Sequence, residues 1–136
     1  MKTIARILLG AMLTFAGVSH LTFARDEFQA QVPKSIPVNE DFTVVASGIV
    51  EILLGAAFMA LPRHRRIVGL VGAAFFVAVF PGNVAQYLNH ADGFGLDTDR
   101  ARLIRLFFQP VLVVWALWST DALQIVSERR RRGTAR

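Results

Sequence analysis

The sequence predicts an all-α fold: a four-helix transmembrane bundle with both termini cytoplasmic. Three observations carry the prediction. The chain has 136 residues, of which 54% are hydrophobic and only 18% charged, whereas an ordinary soluble domain is about a quarter charged. Mean hydropathy is +0.46, and the apolar residues gather in four long runs instead of recurring at core-facing intervals. Lys and Arg then cluster at matching ends of those runs. This length suits one domain. The absence of cysteine excludes disulfides, thiol redox chemistry, iron–sulfur clusters and Cys-based zinc sites. The net charge of +5 would suit a nucleic-acid binder, but it sits in short clusters flanking apolar runs. Anionic lipid is therefore the expected contact, not nucleic acid.

A bilayer core of about 30 Å takes about 20 apolar residues to cross. With no water there to satisfy backbone N–H and C=O groups, each crossing segment should be helical. The runs lie at about 4–23, 42–61, 67–90 and 103–123, forming a transmembrane domain over 1–123 with a basic cytoplasmic tail over 124–136. The joints between them are rich in turn residues. Residues 24–41 hold Pro33, Pro37, Asn39 and six charges; Pro62-Arg63-His64-Arg65-Arg66 is a basic turn; Asp92 to Asp97 is a Gly-containing acidic loop, after which Asp97 or Thr98 can cap the fourth helix. In the first of these, Phe28, Val32, Ile36 and Val38 alternate with polar residues, as a cover for the outer mouth of the bundle or a plain connector would. Ten basic residues fall on one side (Lys2, Arg6, Arg63, Arg65, Arg66, Arg129 to Arg132, Arg136) and five on the other (Arg25, Lys34, Arg100, Arg102, Arg105), which places both termini in the cytoplasm. Lys2 and Arg6 ahead of an apolar run also fit a signal peptide ending at Thr22-Phe23-Ala24. The length of the run, and its Gly10, Gly17 and His20, favour a retained helix.

Lipid is as apolar as leucine, so helices in it associate through small residues that allow close approach. Gly10, Thr14 and Gly17 supply such a face on helix one; Ser47, Glu51 and Gly55 share one on helix two; Gly69 and Ala73 on helix three. Against this background the intramembrane polar residues stand out as functional candidates. Glu51 lies near the middle of helix two, either as a buried structural carboxyl or as a proton acceptor or ligand anchor. Asn83, Gln86, Tyr87 and His90 recur at i, i+3, i+4, i+7 on helix three, and Arg102, Arg105 and Gln109 share a face of helix four. Pro81 and Pro110 sit among them. His20 belongs to helix one. The direction of each helix puts His20, Asn83, Gln86, Arg105 and Gln109 in the outer half and Glu51 near the midplane. A polar pocket opening outward is the expectation, with packing and interfacial roles as the plain alternative. His20 and His90 could ligate a haem, but no attachment motif accompanies them. No metal-ligand spacing, nucleotide-binding loop or Ser/His/Asp arrangement is present.

Several stretches resemble the DoxX family of small bacterial inner-membrane proteins. Arg6-Ile7-Leu8-Leu9-Gly10 with Phe15-Ala16-Gly17-Val18-Ser19-His20 resembles its first helix. Ser47-Gly48-Ile49-Val50-Glu51-Ile52 and Pro62-Arg63-His64-Arg65-Arg66 resemble its second helix and basic turn. Val79-Phe80-Pro81-Gly82-Asn83, and Gln109-Pro110 before a Trp-containing run, resemble helices three and four. The resemblance extends to about Leu123. It implies a multi-pass protein of the bacterial inner membrane, with partners in membrane redox complexes linked to quinone-dependent sulfur oxidation or oxidative stress. The family's second-helix glutamate maps to Glu51, and its Pro-x-Asn element to Pro81 and Asn83.

The expected function is a redox-linked accessory subunit that binds a quinone or similar lipid-soluble ligand among His20, Glu51, Asn83, Gln86, Arg105 and Gln109. A non-enzymatic scaffold or assembly partner is the alternative. A small-solute transporter ranks third, because a chain this short would call for a homo-oligomer.

Overall fold

The computed structural model describes residues 1–23, 37, 39–88 and 98–135. Their order is α1 (Lys2–Leu21), α2 (Glu40–Ala60), a 3-10 turn (Pro62–His64), α3 (Arg65–Leu88), α4 (Asp99–Ser119) and α5 (Leu123–Thr134). No strand occurs among the described residues. The suggested loop cover at Phe28, Val32, Ile36 and Val38 lies outside them, as does His90. Helices α1, α2 and α3 are each long and apolar enough to cross a membrane, while α4 and α5 qualify only when taken together. Large apolar side chains such as Leu8, Phe15, Leu53, Val77, Phe107 and Val114 are exposed on the flanks of the bundle, a surface suited to hydrocarbon and not to water.

Helix starts follow local chemistry. The Asn39 side chain accepts from the Phe42 N–H at 3.1 Å, and Thr98, one of the two caps offered by the sequence, accepts from the Ala101 N–H at 3.2 Å. α3 continues through Pro81 and α4 through Pro110.

The end of α4 departs from the expected run to Leu123. The helix stops at Ser119, and α5 leaves at 67° to it. Asp121 adopts φ 57°, the Asp121 N–H donates to the Trp118 carbonyl, and the Ala122 N–H donates to the Leu117 carbonyl at 3.1 Å. These paired bonds close the helix end around a left-handed residue, a position usually held by glycine but open to Asp. Ser119, Thr120 and Asp121 interrupt the apolar run, and the Thr120 hydroxyl donates back to the Ala116 carbonyl at 2.6 Å. The basic tail expected over 124–136 is accordingly helical from Leu123 to Thr134.

The helices form two close hairpins. α1 packs most extensively on α2, and α3 on α4. In the first hairpin the backbones nearly touch. A Cβ on Gly10 would stand 2.7 Å from the Gly55 carbonyl oxygen, and one on Gly17 would stand 2.5 Å from that of Gly48. In the second, Gly69 faces Thr120 and the Ala116 carbonyl. The core joining the hairpins lies toward the end of the bundle that carries the N-terminus. Phe58, 0% exposed, reaches from α2 against Gly72 of α3, surrounded by Leu9, Leu13, Leu54 and Ala116. Hydrogen bonds reinforce this end. The Trp115 indole N–H of α4 donates to the Ala5 carbonyl of α1 at 2.8 Å. Lys2 pairs with Asp121, and Arg65 Nη2 lies 3.6 Å from Asp121 Oδ2. Arg6, buried inside the bundle, donates to the Phe58 carbonyl and at 3.5 Å to that of Met59. It thereby places a cation against the unpaired carbonyls that end α2.

Candidate functional site

Between the hairpins, at the end away from this tie, the helices part around a cavity of about 490 Å³. All four long helices line it. Most of the wall is apolar, with Met12, Phe15, Val79 and Phe108 among its members. The polar groups on it are few and fall into two sets.

The first set belongs to α1 and α2. His20 Nδ1 lies 3.1 Å from Ser47 Oγ and 3.3 Å from Glu51 Oε2. The Ser47 hydroxyl donates its single proton to the Val44 carbonyl at 3.0 Å, so its contact with His20 is met with the imidazole hydrogen assigned to Nδ1 and directed at Ser47 Oγ. His20 is buried because Gly48 allows α2 to approach its Cβ. Glu51 points into the cavity and not toward lipid.

The second set belongs to α3 and α4 and forms a relay. Arg105 Nε donates to Asn83 Oδ1 at 3.1 Å, Asn83 Nδ2 to Gln109 Oε1 at 3.0 Å, and Gln109 Nε2 to the Phe76 carbonyl at 2.6 Å. Each amide accepts with its oxygen and donates with its nitrogen, so the direction of the chain is determined throughout. Asn83 and Gln109 are buried, at 5% and 7% exposure, and such amides are stable in an apolar bundle only when paired in this way. Arg105 and Glu51 are near enough for their charges to interact, which links the two sets across the cavity.

The structure thus brings five of the six expected site residues, His20, Glu51, Asn83, Arg105 and Gln109, to one cavity. The sixth, Gln86, is on α3 one turn beyond Asn83, and its side chain lies outside the described residues. The suggested haem pairing of His20 with His90 involves a residue outside the described set. Among the described residues no three His, Asp or Glu side chains come together as a metal site needs. Ser47 is the addition. The sequence places it one turn before Glu51 on a packing face, and that same spacing puts its hydroxyl beside His20.

No curated protein and no solved structure matches the chain. A family model does, over residues 9–120, a stretch that includes every polar group of the cavity. The chain belongs to the family described as Domain of unknown function (DUF8561).

Proposed function

We propose that this is a four-span protein of a bacterial inner membrane, with both termini cytoplasmic, that binds a quinone or similar lipid-soluble ligand in the cavity between its two hairpins. It would act there as an accessory subunit of a membrane redox complex. The observation that carries the reading is the cavity itself. About 490 Å³ with a mainly apolar wall and a few convergent polar groups is the form taken by small-molecule sites, which run to about 300–1,000 Å³. Asn83 and Gln109 each carry an amide hydrogen beyond the one used in their relay, and these suit carbonyl oxygens. Glu51 and His20 would form the proton-handling pair, since His20 Nδ1 and Glu51 Oε2 stand 3.3 Å apart. A bound quinone would supply paired electron and proton chemistry; the residues of this chain would orient it, exclude water and hold the proton. The resemblance to the DoxX family supports the same reading.

A scaffold role is the second reading. It is favoured by the fact that Asn83, Gln109 and Arg105 are hydrogen-bonded within one hairpin and His20 with Ser47 within the other, as residues serving helix packing would be. The deciding experiment is mass spectrometry of small molecules retained by the protein purified from its native membrane, followed by titration with a short-chain quinone. Retention of a quinone and saturable binding weakened by Arg105→Gln supports the first reading. Neither retention nor saturable binding overturns it in favour of the scaffold.

A further inference from the structure

A second cavity, of about 300 Å³, lies at the opposite end of the bundle. It is lined by Lys2, Thr3, Arg6, Arg65, Ser119 and Asp121, together with Pro62. Three cations therefore face one carboxylate. That carboxylate is already engaged, since Asp121 pairs with Lys2 and Arg65. Arg6 is 4% exposed, and its described hydrogen bonds all go to the carbonyls of Phe58 and Met59. α1 begins at this cavity with no side chain capping it, so the first N–H groups of a 20-residue helix add a positive pole.

One further observation points to a ligand. Ser119 is 1% exposed, and its hydroxyl has no hydrogen-bond partner among the described residues. A buried hydroxyl left unsatisfied costs free energy. The adjacent Thr120 avoids this by donating to the Ala116 carbonyl at 2.6 Å. Ser119 lines the cavity instead.

We propose that this cavity binds a phosphate group, held by Arg6, Arg65, Lys2 and the N-terminus of α1, with the Ser119 hydroxyl donating to a phosphate oxygen. Guanidinium groups and helix N-termini match the several acceptor oxygens of phosphate better than they match a lone carboxylate. Under the four-span reading the site sits at the cytoplasmic face, level with lipid headgroups, so the phosphate can come from an anionic phospholipid or from solution. The site is independent of the larger cavity and of any ligand there.

Native mass spectrometry of the full chain tests the proposal, using phosphatidylglycerol, phosphatidylcholine and inorganic phosphate as probes. Binding of phosphatidylglycerol in preference to phosphatidylcholine supports a headgroup source; binding of inorganic phosphate that displaces the lipid supports a free-phosphate source. In either case Arg65→Gln and Ser119→Ala should each weaken binding about tenfold, as loss of a charge-assisted hydrogen bond does. Asp121→Asn keeps a residue tolerant of the left-handed turn and removes the competing carboxylate, so it should tighten binding severalfold. Arg63→Gln is the control, since Arg63 is exposed and does not line the cavity. Equal losses for Arg63→Gln and Arg65→Gln would reduce the effect to surface charge and overturn the site. So would unchanged binding in Ser119→Ala and Asp121→Asn, or no binding of any probe. Ser119→Ala removes only an unpaired hydroxyl, so misfolding does not obscure its result.

Discussion

Gly17→Ala tests, with a single methyl group, the closest backbone approach among the described glycines. The new Cβ would lie 2.5 Å from the Gly48 carbonyl oxygen, 2.7 Å from Ile52 Cγ1 and 2.9 Å from the Ile52 nitrogen. Two of these three are backbone atoms, so no rotamer change relieves them. Restoring an ordinary contact near 3.4 Å requires α2 to retreat by about 0.9 Å, which a close-packed interface transmits along its length. The Gly10–Gly55 contact, two turns away on the same face, opens with it. Overpacking of this kind costs about 1–3 kcal/mol, and the better helix propensity of alanine returns up to about 1 kcal/mol. A net loss of about 1–2 kcal/mol is expected. It should be read as a shift in the midpoint of reversible unfolding in mixed detergent micelles. Gly133→Ala is the matched control, because nothing lies within 4 Å of a Cβ there; helix propensity alone should leave it neutral or up to about 1 kcal/mol more stable. A Gly17→Ala protein as stable as the parent would refute the argument that glycine is required for backbone approach here.

Other expectations follow from the polar groups and the topology. Gln109→Leu removes the centre of the relay, stranding Asn83 Nδ2 and the added acceptor role at Phe76, and should cost about 1–3 kcal/mol in the same unfolding assay; a neutral result would mean that the relay does not stabilise the hairpin. Glu51→Gln preserves shape and hydrogen bonding, so it should fold normally while losing any proton-coupled activity of the cavity. Glu51→Leu, by contrast, should also lower stability by removing the partner of His20. Reporter fusions at Gly93 and at the C-terminus should give periplasmic and cytoplasmic signals respectively, and a periplasmic C-terminus would defeat the four-span arrangement.

The length of the apolar runs made the helices legible, because a bilayer leaves a crossing segment few alternatives to an α-helix. The boundaries of α1, α2 and α3 lie within two residues of the apolar runs. The glycine face on α1 was legible from helical periodicity: small residues four and seven apart must share a side. The break after Ser119 was not, because it uses Asp121 in a left-handed turn where glycine or proline would have signalled a stop. Charge counting also gave Arg6 too small a part. It registers as one more basic residue beside the membrane, whereas its burial against the carbonyls of Phe58 and Met59 depends on where α2 ends, which helix-one composition does not encode. Within the larger cavity, helix faces predict which residues share a side. They do not predict that Asn83 and Gln109 bond each other across α3 and α4 while His20 turns to α2, since that depends on which helix is the nearer neighbour.

The pairing of polar groups within each hairpin bears on how the chain can enter a bilayer. His20 meets Ser47 and Glu51 as soon as α1 and α2 associate, and Asn83, Gln109 and Arg105 meet when α3 and α4 do. Each half thus brings most of its intramembrane polar side chains into contact with partners of its own, and only the charge interaction of Glu51 with Arg105 waits for the other half. Each can therefore leave the insertion machinery as a preassembled unit, much of its intramembrane polar cost already offset. The final docking step then involves apolar contacts, the ties at the N-terminal end and the approach of Arg105 to Glu51. A chain built in this order assembles its cavity last, at the seam where two finished halves meet.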